Sequence, residues 1–149
     1  MTADSVAITN LLYRYAECMD NGDFAGAAQL FGDARIRVAA GHDGFVDAAG
    51  ILAMWESSVT RYTDGTPRTK HVTTNAIVDI DANGEAATAR SYYTVFQQVD
   101  DFALQPIISG RYHDRFAKVH GTWQWTERDY TLVDLVGDLS RHLTMELPK

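Results

Sequence analysis

A histidine and an aspartate are the side chains in this sequence best suited to do chemistry together. Asp20 stands directly before an Asn-Gly pair, and His71 lies near the start of a long alternating segment. A neutral imidazole is a suitable base near pH 7 for a proton made acidic by a neighbouring carbonyl or good leaving group. A carboxylate on its other nitrogen fixes the tautomer and stabilises the imidazolium as it forms. His71 is therefore the likeliest base in this sequence, and Asp20 a candidate carboxylate to pair with it.

Each candidate residue also has an ordinary structural interpretation. An Asp at a helix end before Asn-Gly is common turn chemistry, so Asp20 needs no function to explain it. His71 could be an exposed or hydrogen-bonded strand histidine, and Tyr15 could be a core tyrosine with a hydroxyl partner. Arg128, late in a predicted strand, could be half of a surface ion pair.

Other kinds of site find little support in the sequence. The histidines show no helical i, i+4 pair and no carboxylate at metal-ligand spacing, and His113 and Asp114 point to opposite faces of one strand. The single cysteine, Cys18, cannot form an intrachain disulfide, and no Gly-rich phosphate loop is present. The net charge is −7 without clustered Lys or Arg, which argues against a nucleic-acid partner. The histidines are His42, His71, His113, His120 and His142.

Three segments in the first 62 residues are predicted to be helical. An apolar stripe with 3.6-residue periodicity predicts a helix over Ser5–Asp20. Asp23 caps a second helix that carries Phe24 to Phe31, and Asp47 caps a third that extends toward Tyr62. The short predicted strand Arg35–Ala39 is followed by a turn-rich stretch, Gly41-His42-Asp43-Gly44.

From about Thr69 to Val136 the hydrophobic period changes to two, and three turn signals divide this stretch into four strands. The signals are a predicted two-residue turn at Asn83-Gly84, the Asp100-Asp101 region and His120-Gly121. Helices followed by an antiparallel meander predict an α+β fold, a curled antiparallel sheet with three N-terminal helices on its concave face. One domain is expected over residues 1–149.

The first long strand, Thr69–Ile80, places His71, Thr73 and Asn75 on one face and mostly apolar residues on the other. A two-residue turn would set these three opposite Phe96, Thr94 and Tyr92. Apolar bodies with a few convergent polar groups are typical of a pocket. The residues expected to line it are Tyr92, Thr94, Phe96, Trp55, Ile108 and Tyr112.

The order of elements and three segments resemble the SnoaL-like family of the nuclear transport factor 2-like superfamily, which consists of cone-shaped α+β barrels. The similar segments are Ile8–Tyr13 continuing to Asp20, His71-Val72-Thr73-Thr74-Asn75, and Gly121–Trp125 continuing to Arg128. The resemblance extends from about Ile8 to Tyr130. Within this family the sequence is most similar to scytalone dehydratase, bile-acid dehydratase and hexachlorocyclohexane dehydrochlorinase.

The resemblance implies that Asp20 and His71 form a cofactor-independent catalytic pair. It gives Arg128 the role of assisting an anionic leaving group, and Tyr15 that of donating a hydrogen bond to a developing enolate or departing hydroxide. The expected activity is a dehydratase-type lyase acting on a small cyclic or aromatic-like molecule. An isomerase or polyketide cyclase using the same base, and a non-catalytic small subunit or ligand-binding module, remain alternatives.

The remaining expectations concern location and assembly. The first residues lack the basic and apolar regions of a signal peptide, and no apolar run approaches the ~20 residues of a membrane helix. A cytoplasmic protein without a membrane association is therefore expected. The last strands are predicted to expose Trp123, Trp125, Tyr130, Leu132 and Val133, and an apolar outer face favours a homo-oligomer. A trimer is favoured by the resemblance, with a dimer next.

Overall fold

A computed structural model describes residues 2–39 and 43–145. It contains three helices and a mixed, open, curled seven-stranded sheet, so the predicted α+β fold is confirmed. Gly41 and His42, in the predicted turn after the first strand, lie outside the described residues. None of the described helices is both long and apolar enough to cross a membrane.

The helices begin and end close to the predicted caps. Helix α1 spans Ala3–Asp20, α2 spans Phe24–Phe31 and α3 spans Ala48–Ser58. Asp23 and Asp47 accept hydrogen bonds from Gly26 N and Gly50 N, which satisfies free N–H groups of α2 and α3. Helix α3 ends before Val59 and Tyr62, two residues that the sequence pattern had placed in it.

The sheet has strand order β2-β1-β6-β5-β4-β3, with β7 paired to β5. Strand β1 is parallel to β6, and the other pairs are antiparallel. The short strands β2 and β7 were not predicted. The bounds are β1 Arg35–Arg37, β2 Phe45–Val46, β3 Thr69–Ile80, β4 Ala86–Val99, β5 Phe102–Val119, β6 Thr122–Asp129 and β7 Val133–Val136.

Strand β3 contains a bulge that the sequence pattern did not reveal. Ile77 pairs with Arg90 as predicted, but Thr74 pairs with Tyr92, so Asn75 and Ala76 together face one residue of β4. Asn75 has a φ of 42°, a left-handed conformation that Asn tolerates better than most residues. The bulge shifts the side-chain alternation by one, so His71 and Thr73 share the inner face with Ala76, Val78 and Ile80.

The hairpin between β3 and β4 is also longer than predicted. The backbone N–H of Asp81 donates to the carbonyl of Ala86, which leaves four residues in the loop instead of two. The residue pairs next to the loop are the predicted ones. The bulge, and not the longer loop, therefore causes the difference from the predicted register in residues 69–74. The two-residue turn lies instead between β5 and β6, where His120 and Gly121 both have positive φ.

The core lies between the concave face of the sheet and the three helices. Trp123 and Trp125 are 5% and 2% exposed, so the prediction that these tryptophans form an exposed outer face was wrong. Trp123 Nε1 donates to Asp4 in the first turn of α1, and the Trp125 ring packs 5.0 Å from Phe31 of α2. Leu132, Val133 and Tyr130 are only partly exposed.

Candidate functional site

Asp20 occupies the last turn of α1, where the backbone ends in a Schellman motif. The N–H groups of Gly22 and Asp23 donate to the carbonyls of Met19 and Cys18. Gly22 has a φ of 73°, and a Cβ there would lie 2.1 Å from the carbonyl oxygen of Gly65. This tight turn packs against the loop that contains Gly65, before β3. The contact fixes the helix end and therefore the position of Asp20.

The Asp20 carboxylate accepts three hydrogen bonds from β3. His71 Nδ1 lies 2.6 Å from Asp20 Oδ1, the backbone N–H of His71 donates to Oδ2 at 2.8 Å, and Thr69 Oγ1 donates to Oδ1 at 2.9 Å. The negative end of a helix dipole disfavours an anion at this position, and these donors offset that cost. The predicted contact between Asp20 and His71 is present.

This geometry assigns different roles to the two ring nitrogens of His71. The carboxylate accepts hydrogen bonds, so Nδ1 carries the ring hydrogen of the neutral imidazole. Nε2 is then the acceptor nitrogen, and it makes no hydrogen bond with any residue in the described ranges. Both side chains are 9% exposed. His71 therefore has a free lone pair in a largely buried setting.

A groove of about 480 Å³ between α1 and β3 reaches both members of the pair. Its position gives an approach to the pair from the surface. The groove is lined by Tyr13, Ala16, Glu17, Asp20, Asn21, Lys70, His71 and Thr73.

Tyr15 lies on the inner side of the same helix and is 3% exposed. Its ring packs edge-on to His71, with centroids 6.2 Å apart, and its hydroxyl accepts a hydrogen bond from Tyr130. Burial raises the pKa of Tyr15, while the nearby Arg128 charge opposes that shift. The hydroxyl therefore stays protonated at neutral pH, and it donates to no residue in the described ranges 2–39 and 43–145.

Arg128 is fully buried and forms an ion pair with Asp114, so the interpretation as a surface pair was wrong. Its Nε and Nη2 donate to the two Asp114 oxygens at 2.7 and 3.0 Å. Burial lowers the pKa of Arg128, but Asp114 more than compensates, so the pKa lies well above its usual range. Nη1 has no partner among residues 2–39 and 43–145.

Aromatic rings surround this guanidinium. Its central carbon lies 3.7 Å from the centre of the Tyr112 ring and 4.5 Å from that of Tyr15, so the Tyr15 ring contacts both Arg128 and His71. Burial raises the pKa of Tyr112 and Tyr130 well above the usual range. The rings within reach belong to Tyr15, Phe31, Tyr112, Trp125 and Tyr130.

Three of the predicted pocket residues lie on the wrong side of the sheet. Beyond the β3 bulge, Tyr92, Thr94 and Phe96 pair with the outward residues Thr74, Val72 and Lys70. Tyr92 is 55% exposed. The inner face of β4 instead carries Ser91, Tyr93, Val95 and Gln97, all buried. His71 therefore lies opposite Val95 and not Phe96.

The other three predicted pocket residues face the core. Trp55 and Tyr112 are buried, and Tyr112 stacks on Tyr93 with ring centres 4.3 Å apart. Ile108 is partly buried, pairs with Val95 and packs against the core.

Sequence reasoning missed several inward polar groups. His113 is exposed and Asp114 buried, as expected for neighbours on a strand, but nothing in the sequence pointed to the pairing of Asp114 with Arg128. Ser91 Oγ, Gln97 Oε1 and His142 Nδ1 are buried without partners in the part of the chain that the structure describes. Within that part, no three His, Cys, Asp or Glu side chains are grouped to hold a metal.

Solved structures with this fold come from several bacteria. An NTF2-like protein with a cystatin-like fold from Novosphingobium aromaticivorans is 22% identical and has a TM-score of 0.66, covering 85% of this chain and 79% of its own. ActVI-ORFA from Streptomyces coelicolor is 22% identical, with a TM-score of 0.65 and coverage of 86% and 96%. These likenesses show the fold alone.

A third similar structure, from Novosphingobium aromaticivorans, is described as the beta subunit of an aromatic-ring-hydroxylating dioxygenase. It is 22% identical, covers 88% of this chain and 89% of its own, and has a TM-score of 0.65. No curated protein matches the sequence.

The profile of the SnoaL-like domain matches residues 1–129, which include Asp20, His71 and Arg128. This family fold includes enzymes such as polyketide cyclases and also non-catalytic subunits. Its members bind small molecules and often form oligomers or subunits. With most of its length matched, the chain belongs to the SnoaL-like domain family.

Proposed function

We propose that this protein is a cofactor-independent lyase that carries out a dehydratase-type elimination on a small cyclic or aromatic-like molecule. The 2.6 Å contact between His71 Nδ1 and Asp20 supports this most strongly, because it leaves Nε2 free to accept a proton. Three hydrogen bonds hold the carboxylate, so the base is oriented before a substrate arrives.

In this reaction His71 Nε2 removes a proton from the carbon next to a substrate carbonyl. The C–H electron pair forms a new C=C bond as the bond from the adjacent carbon to its hydroxyl breaks. The oxygen leaves with its bonding electrons and takes up the proton that His71 Nε2 removed from carbon, so one water is released and the base is restored. Asp20 stabilises the positive charge that develops on the His71 ring.

Tyr15 and Arg128 stabilise negative charge in this proposal. Tyr15 packs against His71 and has a hydroxyl hydrogen free to donate to an enolate or departing hydroxide. Arg128 is farther from the base, with the Tyr15 ring between them, and only its Nη1 is free of Asp114. Its charge acts at longer range, strengthened by the dry surroundings.

The buried aromatic rings around Tyr15 support a flat or cyclic substrate. Trp55, Tyr93 and Tyr112 present rings to the same interior as Tyr15, and Ile108 adds an apolar contact. Ring faces bind flat apolar molecules by stacking. We assign Trp55, Ile108 and Tyr112 to substrate binding and remove Tyr92, Thr94 and Phe96, because the register turns those three outward.

The test is a panel of cyclic β-hydroxyketones, with appearance of the conjugated enone followed by ultraviolet absorbance. His71→Ala should lower turnover by about 10²–10⁴-fold, the usual contribution of a positioned base. Asp20→Asn should be milder, because it misorients the base without removing it. Both variants should stay folded, since neither removes a large apolar core side chain.

His113→Ala is the matched control, because His113 is exposed on the outer face of β5. It should keep wild-type turnover. Wild-type turnover in both His71→Ala and Asp20→Asn would instead contradict the His71–Asp20 mechanism, and no turnover by the wild-type protein across the panel would favour the non-catalytic subunit. Solvent deuterium separates the enzyme alternatives, because an isomerase returns a proton to carbon whereas a lyase releases water and leaves a double bond.

A further inference from the structure

The groove between α1 and β3 extends well beyond the Asp20–His71 pair. Tyr13 and Glu17 precede Asp20 by seven and three residues on α1, and all three line the groove from the same side of the helix. Seven residues of α-helix rise about 10 Å. Together with the volume of about 480 Å³, this length leaves room for a six-membered ring next to His71.

Five polar side chains line this groove in addition to the pair. Within residues 2–39 and 43–145, none of the five makes a side-chain hydrogen bond or an ion pair with another residue. Exposed charges elsewhere are paired, for example Arg61 with Glu56 and Arg111 with Asp134. A ligand in the groove can therefore bind these five groups without breaking a contact within the protein. They are Tyr13, Glu17, Asn21, Lys70 and Thr73.

The charges on the two walls of the groove select against charged ligands. Glu17 on α1 offers hydrogen-bond acceptors, and Lys70 on β3 offers only donors. An anion attracted to Lys70 would also meet the Glu17 carboxylate, and a cation attracted to Glu17 would also meet the Lys70 ammonium. A hydroxyl group can donate to the carboxylate and accept from the ammonium, and Asn21 and Thr73 can bind it in either sense. The walls thus suit an uncharged ligand with several hydroxyl groups.

Tyr13 adds an accessible aromatic ring to the groove. It is 47% exposed and lines the end of the groove two helical turns from Asp20. A tyrosine ring combines an apolar face with a polar hydroxyl at its edge. A saturated ring with hydroxyl groups has the matching character, because its C–H groups form apolar faces and its hydroxyls point outward. Such a ring can stack on Tyr13 and direct its hydroxyls to the polar walls.

We propose that the groove binds an uncharged, polyhydroxylated six-membered ring, such as a pyranose, stacked on Tyr13 between Glu17 and Lys70. This site lies outside the buried aromatic rings around Tyr15. That the bound ring is part of the substrate rests on the proposed function, since His71 is the base only there. Binding of the ring does not depend on that function.

The test measures dissociation constants of the full chain by ligand-observed NMR at pH 7. The probes are the methyl glycosides of glucose, galactose and mannose, and the comparison compound is cyclohexyl methyl ether, a ring of the same size without hydroxyl groups. Wild-type protein should bind at least one methyl glycoside, and more tightly than the ether. The tightest of the three is the reference ligand for the variants.

Tyr13→Ala should weaken binding of the reference ligand about threefold to tenfold, because it removes the stacking surface. Tyr13→Phe keeps the ring and should retain most of the affinity. Alanine is the best helix former, so this exposed change should leave α1 folded. Tyr92→Ala is the matched control, because Tyr92 is 55% exposed but on the outer face of β4, and it should bind the ligand like wild type.

Charged analogues of the reference ligand test the two walls. Wild type should bind its uronate, which is an anion, and its amino-sugar analogue, which is a cation, more weakly than the neutral sugar. Glu17→Gln leaves Lys70 as the only charge of the walls, so binding of the uronate relative to the neutral sugar should improve at least about threefold. Lys70→Gln should improve the relative binding of the amino sugar to a similar extent.

Several results would overturn the proposal. They are no wild-type binding of any methyl glycoside, no preference over the ether, undiminished binding in Tyr13→Ala, or an unchanged order of neutral and charged ligands in both charge variants. These outcomes are independent of turnover. Turnover that requires His71 without glycoside binding would leave the lyase proposal intact and refute the groove site. Glycoside binding that requires Tyr13 in a protein without turnover would do the reverse.

Discussion

The molecule contains two aspartate-centred pairs that differ in what their geometry permits. Asp20 and His71 share one short ring contact at the edge of a groove, and the second ring nitrogen stays free. Asp114 and Arg128 are joined by two hydrogen bonds in a fully buried position among aromatic rings. In the proposed function the first pair takes part in proton transfer, whereas the second is a fully buried ion pair.

The comparison shows that one fold can hold a pair proposed for proton transfer and, at another place, a rigid buried ion pair. Histidine as a residue type changes protonation near neutral pH, so a His–Asp pair with one ring nitrogen free suits proton transfer. Arginine stays protonated, so the buried pair acts as a fixed dipole that also joins β5 to β6. Tyr15 contacts both pairs and separates them.

The largest expected effect distinguishes the pairs by stability. Asp114→Ala leaves the Arg128 charge buried without a partner and should lower the free energy of unfolding by about 3–5 kcal/mol. Asp20→Asn keeps an acceptor at the helix end and should cost about 1 kcal/mol. Urea unfolding at pH 7 measures both changes.

Asp134→Asn provides a control for burial. Asp134 accepts from Arg111 at 2.9 and 3.0 Å, a fork like that of Asp114, but both side chains are at least 40% exposed. Its loss should cost less than about 1 kcal/mol. Equal effects of Asp114→Ala and Asp134→Asn would mean that burial does not distinguish the pairs.

A smaller effect concerns the free energy of unfolding at low pH. His142, near the first pair, has a folded pKa of about 4, below the ordinary 6.5. Between these values the unfolded chain binds more protons, so stability falls as the pH is lowered from 6.5 toward 4. Wild type should lose roughly 2 kcal/mol more than His142→Asn between pH 7 and 4.5, by urea unfolding at each pH. Parallel pH curves for the two proteins would contradict this.

The smallest expected effect tests whether assembly leaves both pairs unaffected. The outer face carries exposed apolar side chains, among them Tyr92 at 55% and Leu135 at 69% exposure. We expect a homo-oligomer through this face, with a trimer favoured. Tyr92→Arg should weaken self-association at least about tenfold in sedimentation and leave the urea unfolding of the subunit within about 0.5 kcal/mol. A wild-type monomer at micromolar concentration would contradict the prediction.

Local chemistry in the sequence predicted the end of α1 and the starts of α2 and α3. These helix signals depend only on residues that are neighbours in the sequence, so they can be predicted from it. They are the caps Asp23 and Asp47 and the stop at Asn21–Gly22. The Asp20–His71 contact followed from the helix end, the strand and the family resemblance. The register of β3 and β4 could not be predicted, because the bulge depends on how β3 pairs with β4 and not on the sequence of β3 alone.

The groups of the interior were missed for a related reason. His142 is buried because residues 141–144 hydrogen-bond to Gln97 and to the end of α3, contacts between residues far apart in the chain. Arg128 was identified, but its burial depends on Asp114 across the β5–β6 ladder. Tyr92, Thr94 and Phe96 were misplaced together, since one extra residue turns a whole strand segment over.

The bulge at Asn75 divides β3 into two segments whose side chains alternate in opposite phase. Residues 69–74 contribute to the pocket wall, while Ile77 to Ile80 continue the hairpin in its original phase. Regular pairing through Asn75, with all residues kept, would bring Lys70 and Val72 inward and send His71 outward without altering the hairpin tip. The left-handed conformation of this one residue therefore decides which strip of β3 side chains lines the pocket.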